Sequence, residues 1–185
     1  FALQRDHPSI SSSYQEWERG EYPADTQFYV ADDEIENAIV YKKKQLINKA
    51  ISKFDSMTPA KKRKVARLLG LPITENTKDE VVYNEVDNVL KQTEFKSGKY
   101  QGLSTIEVFN RFADMKEDLL HVKDLVKQAI SYSIYRVKPN GKVYEGEYEV
   151  ATDEEEVVKM LIDDDNQDML LTLEAKLKSK KLAEV

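Results

Sequence analysis

The segment Met57–Gln92, MTPAKKRKVARLLGLPITENTKDEVVYNEVDNVLKQ, decides the fold of the chain, because it predicts two helices and the loop between them. Thr58 before Pro59 is typical of an N-cap followed by proline at the first helical position. Gly70 is typical of a left-handed residue just after a helix. Thr77 has capping-box spacing with the glutamate three residues later, and so predicts the start of the second helix.

The chain around this segment has an ordinary composition for a soluble, helix-rich protein: 41% of its 185 residues are hydrophobic and 34% are charged. The absence of cysteine excludes disulfides, thiolate metal sites and a cysteine nucleophile, and suits a reducing compartment. No apolar run within residues 1–185 has the length of a membrane span, and none has the charged-then-apolar pattern of a secretory leader. We therefore expect an intracellular, cytoplasmic protein without membrane contacts, or a virion component if it is phage-encoded. Because the chain begins at Phe1, we expect it to be part of a longer product.

The net charge of −6 conceals an uneven distribution along the chain. Lysine and arginine are concentrated between residues 42 and 67, whereas aspartate and glutamate are concentrated between residues 145 and 165. Such a division either binds an anion at one end and a basic partner at the other, or provides two solvated faces. Solvated faces are the more common explanation in soluble proteins.

Residues 1–31 have no sustained helical or strand period, yet they contain several aromatic residues. Large rings usually bury surface against something, so the pattern predicts an extended arm that packs on its own domain or on a neighbouring subunit. The aromatic residues that we expect to bind a partner are Tyr14, Trp17, Tyr22, Phe28 and Tyr29.

The part of the chain from residue 32 to residue 130 has the periodicity of a helical domain that includes Met57–Gln92. A long helix is expected from Asp32 or Asp33 to about Ser56. Its apolar stripe consists of Ile35, Ile39, Leu46, Ile47, Ala50, Ile51 and Phe54. A second helical pattern runs from residue 105 to residue 130, and polar residues between 114 and 118 are expected to kink it or to divide it into two helices.

The period then changes, and Asn140-Gly141 is a strong β-hairpin signal between two strand-like segments. A two-residue loop places Arg136 opposite Glu145 and Val137 opposite Tyr144, which collects the tyrosines on one face. Because an isolated hairpin is marginally stable, this face is expected to pack on helices. The sequence therefore predicts an α+β fold, predominantly α-helical, in which a helical bundle packs against one hairpin at about 131–150.

Residues 131–185 are expected to comprise this hairpin and two C-terminal helices, packed on the helical domain. The acidic run Asp163–Asp168 lies between the two helices. It offers oxygen ligands for Ca²⁺ or Mg²⁺, but it lacks the glycine and the distal glutamate of an EF-hand loop. We interpret the run as the end of one helix and the cap of the next, and predict no metal site.

A pattern within Met57–Gln92 combines a basic helix, a Gly-Leu turn and a lysine that leads into a second apolar helix. The residues that form it are Val65, Leu68, Leu69, Gly70, Leu71, Pro72, Thr77, Lys78, Glu80 and Val81. This pattern resembles the SAP-like helix-extended loop-helix family, a small DNA-binding module. The resemblance covers about a fifth of the chain, and Asn76 stands near the position where the family usually has glycine.

The resemblance implies contacts with backbone phosphates, and therefore salt-dependent binding with little sequence selectivity. The residues that would make these contacts are Lys61, Lys62, Arg63, Lys64, Arg67 and Lys78. The alternative is an ordinary helical hairpin with a solvated lysine face.

Catalytic motifs are missing from the sequence: no G-x-S-x-G, no glycine-rich phosphate loop and no H-E-x-x-H is present. The two histidines, His7 and His121, lie far apart in the chain. We therefore predict that the protein is not an enzyme and uses no cofactor.

The function that we favour from the sequence is that of a non-catalytic accessory or assembly protein, which binds other protein subunits of the same or another chain. A small chain that is rich in lysine, glutamate, tyrosine and asparagine and contains no cysteine is similar to many phage-encoded structural or accessory proteins. A phage structural component is therefore one expectation. The alternative is a DNA-binding module centred on the SAP-like pattern, with nucleic acid as the partner.

Overall fold

The residues described by the computed structural model are 10–11, 17–20, 28–29, 33–95 and 98–183. The chain divides into two units, residues 1–48 and residues 49–185. In the first unit, strand β1 (Ile10–Ser11) pairs in parallel with strand β2 (Phe28–Tyr29). The sequence did not predict this short pairing within the arm.

Helix α1 (Asp33–Asp55) has the bounds that the sequence predicted. Lys42, Lys43 and Lys44 are exposed, as their position between the apolar residues requires. The apolar stripe is buried only near the end of the helix, where Ala50 and Phe54 enter the core. Earlier along the same stripe Ile39 and Leu46 are exposed, which the periodicity alone did not indicate.

Helix α2 (Pro59–Leu68) begins and ends as predicted. The Thr58 hydroxyl accepts a hydrogen bond at 3.3 Å from the backbone N–H three residues later. Gly70 has a φ of +86°, and the next backbone N–H, that of Leu71, donates to the carbonyl of Ala66 at 3.1 Å. This is a Schellman motif, in which glycine adopts the left-handed conformation without a steric cost.

Helix α3 (Asp79–Lys91) begins one residue later than the predicted capping box requires. The Thr77 hydroxyl accepts the backbone N–H of Thr74 at 2.9 Å, so it stabilises the preceding loop instead of the helix. Lys78 occupies the N-cap position and makes no side-chain cap. The predicted pair of helices is therefore confirmed, but the capping role of Thr77 is wrong.

The second half of the chain is built around a central helix. Helices α4 (Thr105–Ala113) and α5 (Glu117–Ser131) are separated near Asp114, which confirms the predicted division. Helices α6 (Glu154–Ile162) and α7 (Gln167–Ala183) follow later in the chain. α5 packs against α2 on one side and against α6 on the other, and so it joins the two halves of the core.

A three-stranded antiparallel sheet follows α5, in the order β3 (Tyr135–Val137), β4 (Val143–Glu145) and β5 (Tyr148–Ala151). The predicted hairpin between the first two strands is present, but the predicted register is wrong by one residue. Arg136 lies opposite Tyr144 and not opposite Glu145.

The register differs because the hairpin loop has three residues and not two. The backbone N–H of Lys138 donates to the carbonyl of Lys142 at 2.9 Å, which leaves Pro139, Asn140 and Gly141 in the loop. Gly141 has a φ of +85°, as expected for a three-residue loop in which a turn is followed by a left-handed residue.

The predicted tyrosine face is also wrong, because the second strand is shorter than expected. The chain turns again at Gly146, and Tyr148 begins β5 with 82% of its surface exposed. Tyr135, Val143 and Ala151 are the residues by which the sheet enters the core. The burial of these three residues in the cluster that includes α5, α6 and α7 confirms the prediction that the hairpin packs on helices.

The buried apolar residues form two clusters, and α5 contributes to both. The first cluster joins the end of α1 to α2, α3, α4 and the first turn of α5, where Leu120 lies. The second joins the remainder of α5, from Val122 onward, to the sheet, α6 and α7. The predicted α+β class with a predominantly helical bundle is therefore confirmed.

Candidate functional site

The six predicted nucleic-acid-binding residues lie on α2 and at the start of α3. Five of them belong to α2, and Lys78 is the exposed N-cap residue of α3. Arg63 brings the two positions together, because its Nη2 donates to the carbonyl of Thr77 at 2.8 Å and to Oδ1 of Asp79 at 2.6 Å. The basic cluster predicted from the sequence is therefore one region of the molecule.

Two lysines of α2 form ion pairs with the neighbouring helices. Lys62 Nζ lies 3.8 Å from Oδ1 of Asp55 in α1 and 5.5 Å from the centre of the Phe54 ring. Lys64 Nζ donates to Oε1 of Glu117 in α5 at 2.6 Å. The hydrogen bond from Lys64 lowers the pKa of Glu117 below its ordinary value.

Arg67 forms the most deeply buried ion pair of the described residues. Its Nε and Nη2 donate to the two carboxylate oxygens of Asp124 in α5, at 2.6 Å and 2.7 Å. Arg67 is 9% exposed and Asp124 is 2% exposed, so solvent is nearly excluded from the pair. Gln128, one turn further along α5, donates from Nε2 to Oδ2 of Asp124 at 2.7 Å. The planar two-bond geometry and the third donor satisfy the buried carboxylate.

Burial and the carboxylate of Asp124 shift the pKa of the Arg67 guanidinium in opposite directions. Burial lowers the pKa of Arg67, but the hydrogen bonds and the negative charge of Asp124 outweigh burial, so the pKa of Arg67 is raised above its ordinary value. Arg67 therefore stays charged at neutral pH. Its third nitrogen, Nη1, lies 3.3 Å from Oε1 of Glu75 in the loop after α2.

Most of the positive charge on α2 is thus matched by carboxylates on three other helices, α1, α3 and α5. Within the part of the chain that the structure describes, Lys61 and Lys78 are the members of the predicted set that form no ion pair. A phosphate at the other four positions would compete with an intramolecular carboxylate. The prediction that the set binds nucleic acid stays a prediction.

Asp124 and Gln128 are important polar residues that the sequence analysis did not single out. Both lie at intervals of four residues from Leu120, and so they belong to a row of α5 that faces the interior. An aspartate in an otherwise inward-facing row is the signal that would have identified them. Charged residues are rarely buried without a partner.

The aromatic residues predicted to bind a partner all belong to the first unit. Tyr14 and Tyr22 lie outside the described residues. Trp17 lies in a short helical turn with its side chain exposed, and Phe28 and Tyr29 form β2. The prediction that this arm contacts a partner remains open to experiment.

The acidic run between α6 and α7 serves as a helix end and a cap. Asp163 is the C-cap residue of α6, and its Oδ1 accepts the backbone N–H of Asp165 at 3.1 Å. The interpretation of the run as the end of one helix is confirmed, and the cap that Asp163 provides belongs to the short 3-10 turn Asp164–Asn166 that precedes α7. Within the described ranges, no group of three or more acidic or histidine side chains has an arrangement that would hold a metal ion.

Exposed apolar side chains form a second candidate surface, on α1. Ile39, Val40 and Leu46 are large, exposed residues that continue the row occupied by the buried Ala50 and Phe54. We refer to Ile39, Val40 and Leu46 as the α1 band. Because the band and the buried residues share one helix face, the apolar face extends beyond the part that the core covers.

The fold and these two surfaces define a predominantly helical α+β protein with a charge-matched basic helix and an exposed apolar band. Within the described ranges, no helix combines the length and the apolar composition that a membrane span requires. No family model, no curated protein and no solved structure matches the chain.

Proposed function

We propose that the protein is a non-catalytic accessory or assembly protein that acts by binding other protein subunits. The observation that supports this proposal is the α1 band, three large apolar side chains exposed on a helix of 23 residues. Isolated apolar residues on a surface are ordinary, but several on one helix face in line with the core are typical of an interaction site.

The energetics of the band favour a protein partner. Fully burying one large aliphatic side chain contributes about 1.5 to 3 kcal/mol. The three side chains are 38% to 47% exposed, so covering what remains contributes under about half of that for each. Lys42, Lys43 and Lys44 lie in the same stretch of α1 and are exposed. A partner surface with an apolar centre and acidic residues around it would match both features. The similarity in style to phage-encoded accessory proteins makes a virion or its assembly complex the setting that we propose.

Charge reversal in the α1 band is expected to disrupt assembly. The double substitution Ile39→Glu and Leu46→Glu places two charges on the apolar face, whereas Tyr41→Glu places one charge on another side of the same helix. By light scattering after gel filtration, we expect the wild type to exceed the 21.4 kDa of one chain or to co-purify with a partner. The double variant should be a free monomer, and the Tyr41→Glu control should assemble.

A wild-type protein that stays monomeric at all concentrations and retains no partner would contradict the assembly proposal. Circular dichroism of the double variant provides the folding control. Since the substituted side chains are already exposed, the helical signal should be unchanged.

The alternative function, DNA binding, is favoured by Lys61 and Lys78, the two cations of the predicted set that have no acidic partner among the described residues. Reversing both to glutamate leaves the four ion-paired cations intact, and so it removes phosphate contacts without disturbing the fold. If the protein shifts a DNA duplex on a gel at low salt, this double variant should weaken binding by about tenfold or more, and Lys180→Glu should not. The absence of a shift even at low ionic strength would exclude this alternative.

A further inference from the structure

A cleft of about 380 Å³ lies between the loop that follows α2 and the C-terminal half of α5. Its walls are mostly apolar, and the side chains that form them are Leu71, Pro72, Ile73, Ile130 and Tyr132. Clefts of this size, lined by apolar side chains with a few polar groups, are typical of sites for small molecules.

The polar groups of the cleft are built into the core. Arg67 and Gln128 both line the cleft, and both are more than nine-tenths buried. Asp124 occupies Nε and Nη2 of Arg67, which leaves Nη1 directed toward Glu75. The guanidinium is therefore held rigidly by Asp124, while one of its nitrogens remains for a second anion.

The chain itself provides a second anion, the carboxylate of Glu75, but its contacts with the cations are long. Oε1 of Glu75 lies 3.3 Å from Nη1 of Arg67 and 3.7 Å from Nζ of Lys181 in α7. Both distances exceed the roughly 2.7 to 2.9 Å of a strong charge-assisted hydrogen bond. The Glu75 side chain is 56% exposed, so its carboxylate can leave the two cations and enter water at little cost. The pair that Glu75 forms with Lys181 is partly exposed on both sides, and such pairs contribute little to stability.

The charge balance favours an anionic ligand. Three cations line the cleft, Arg67, Lys127 and Lys181. Asp124 already matches the charge of Arg67, and Glu75 supplies the carboxylate in the cleft wall, so one positive charge is left over. When Glu75 moves away, the cleft presents Arg67 Nη1 and Lys181 Nζ, which both faced its carboxylate, together with apolar side chains of the wall. A ligand that complements both must contain an anionic group and an apolar body.

We propose that this cleft binds a small organic acid in which a carboxylate is joined to an apolar body. The ligand carboxylate replaces that of Glu75 between Arg67 Nη1 and Lys181 Nζ, and the apolar body lies against Ile73, Ile130 and Tyr132. A carboxylate is the group that the chain already places at this position. The inference goes beyond the assembly function and does not depend on it.

The first test uses 2-naphthoate as the probe, with two compounds that each lack one half of its chemistry. Acetate has the carboxylate without the apolar body, and 2-naphthalenemethanol has the apolar body without the charge. In two-dimensional ¹H–¹⁵N NMR of the full chain, 2-naphthoate should shift the amides of Leu71, Ile73–Glu75 and Gln128–Tyr132. We expect it to bind at least about fivefold more tightly than either control compound, because both halves contribute.

The second test uses variants that alter the charges at the cleft while leaving Arg67 in place, since Arg67 also supports the core. Glu75→Gln removes the competing carboxylate and should tighten 2-naphthoate binding by about threefold or more. Lys181→Gln removes a cation and should weaken it by about fivefold. Lys180→Gln, with the same charge change on the same helix outside the cleft, should alter the affinity by less than about twofold.

Several results would overturn the inference. They are the absence of localised amide shifts, equal affinities for 2-naphthoate and 2-naphthalenemethanol, and a Glu75→Gln variant that binds no more tightly than the wild type. Equal effects of Lys181→Gln and Lys180→Gln would show that the protein attracts the anion only through its overall charge.

Discussion

Asp124→Ala is expected to lower the free energy of unfolding by about 3 to 5 kcal/mol, because it leaves a buried guanidinium without its partner. Arg67 is 9% exposed, and a guanidinium stays protonated at neutral pH even without its partner. Without Asp124, its nearest anion is Glu75, whose side chain is largely in solvent. Gln128 also loses the acceptor of its hydrogen bond. Urea unfolding followed by circular dichroism measures the loss.

The matched control is the double variant Arg67→Met and Asp124→Leu, which replaces both charges by apolar side chains. Removing both partners of a buried pair is often neutral or stabilising, so this variant should unfold within about 1 kcal/mol of the wild type or above it. If Asp124→Ala costs less than about 1 kcal/mol, the pair is not held in the interior as described. If the double variant is as unstable as the single one, packing and not charge explains the loss.

The local features of the fold were predictable because they depend on residues close together in sequence. The start of α2 follows from Thr58 and Pro59, and its end follows from Gly70, since each residue acts within one helical turn. The hairpin between β3 and β4 was predictable for the same reason, from Asn140-Gly141. Its register was not, because Pro139 joined the loop and displaced the pairing by one residue.

The charge pairing was not predictable, because it depends on contacts between helices distant in sequence. Arg67 and Asp124 are separated by 57 positions, and nothing near either residue indicates the other. The same is true of Lys64 and Glu117. Lysine and arginine in a helix indicate a positive surface from sequence alone, but tertiary structure decides how much of that charge is matched by carboxylates.

The apolar stripe of α1 also shows what could not be predicted from the sequence. The periodicity predicted one continuous apolar face, and the structure has such a face. The periodicity could not indicate that Ala50 and Phe54 are buried while Leu46 is exposed. Periodicity reports which residues share a face, and only packing determines where that face is covered. The proposed assembly surface therefore follows from the structure and not from the sequence pattern.

Phe54→Ala and Leu46→Ala, two truncations on the same face of α1, are expected to differ greatly in their effects. Phe54 is fully buried, and its ring packs edge-to-face on Phe109 with the ring centres 6.2 Å apart. Its truncation should cost about 3 to 5 kcal/mol of unfolding free energy, through lost burial and a cavity. Leu46 is 45% exposed, so its truncation should change that free energy by less than about 1 kcal/mol while weakening assembly. Urea unfolding and light scattering on both variants separate the two roles, and equal losses of stability would show that Leu46 belongs to the core.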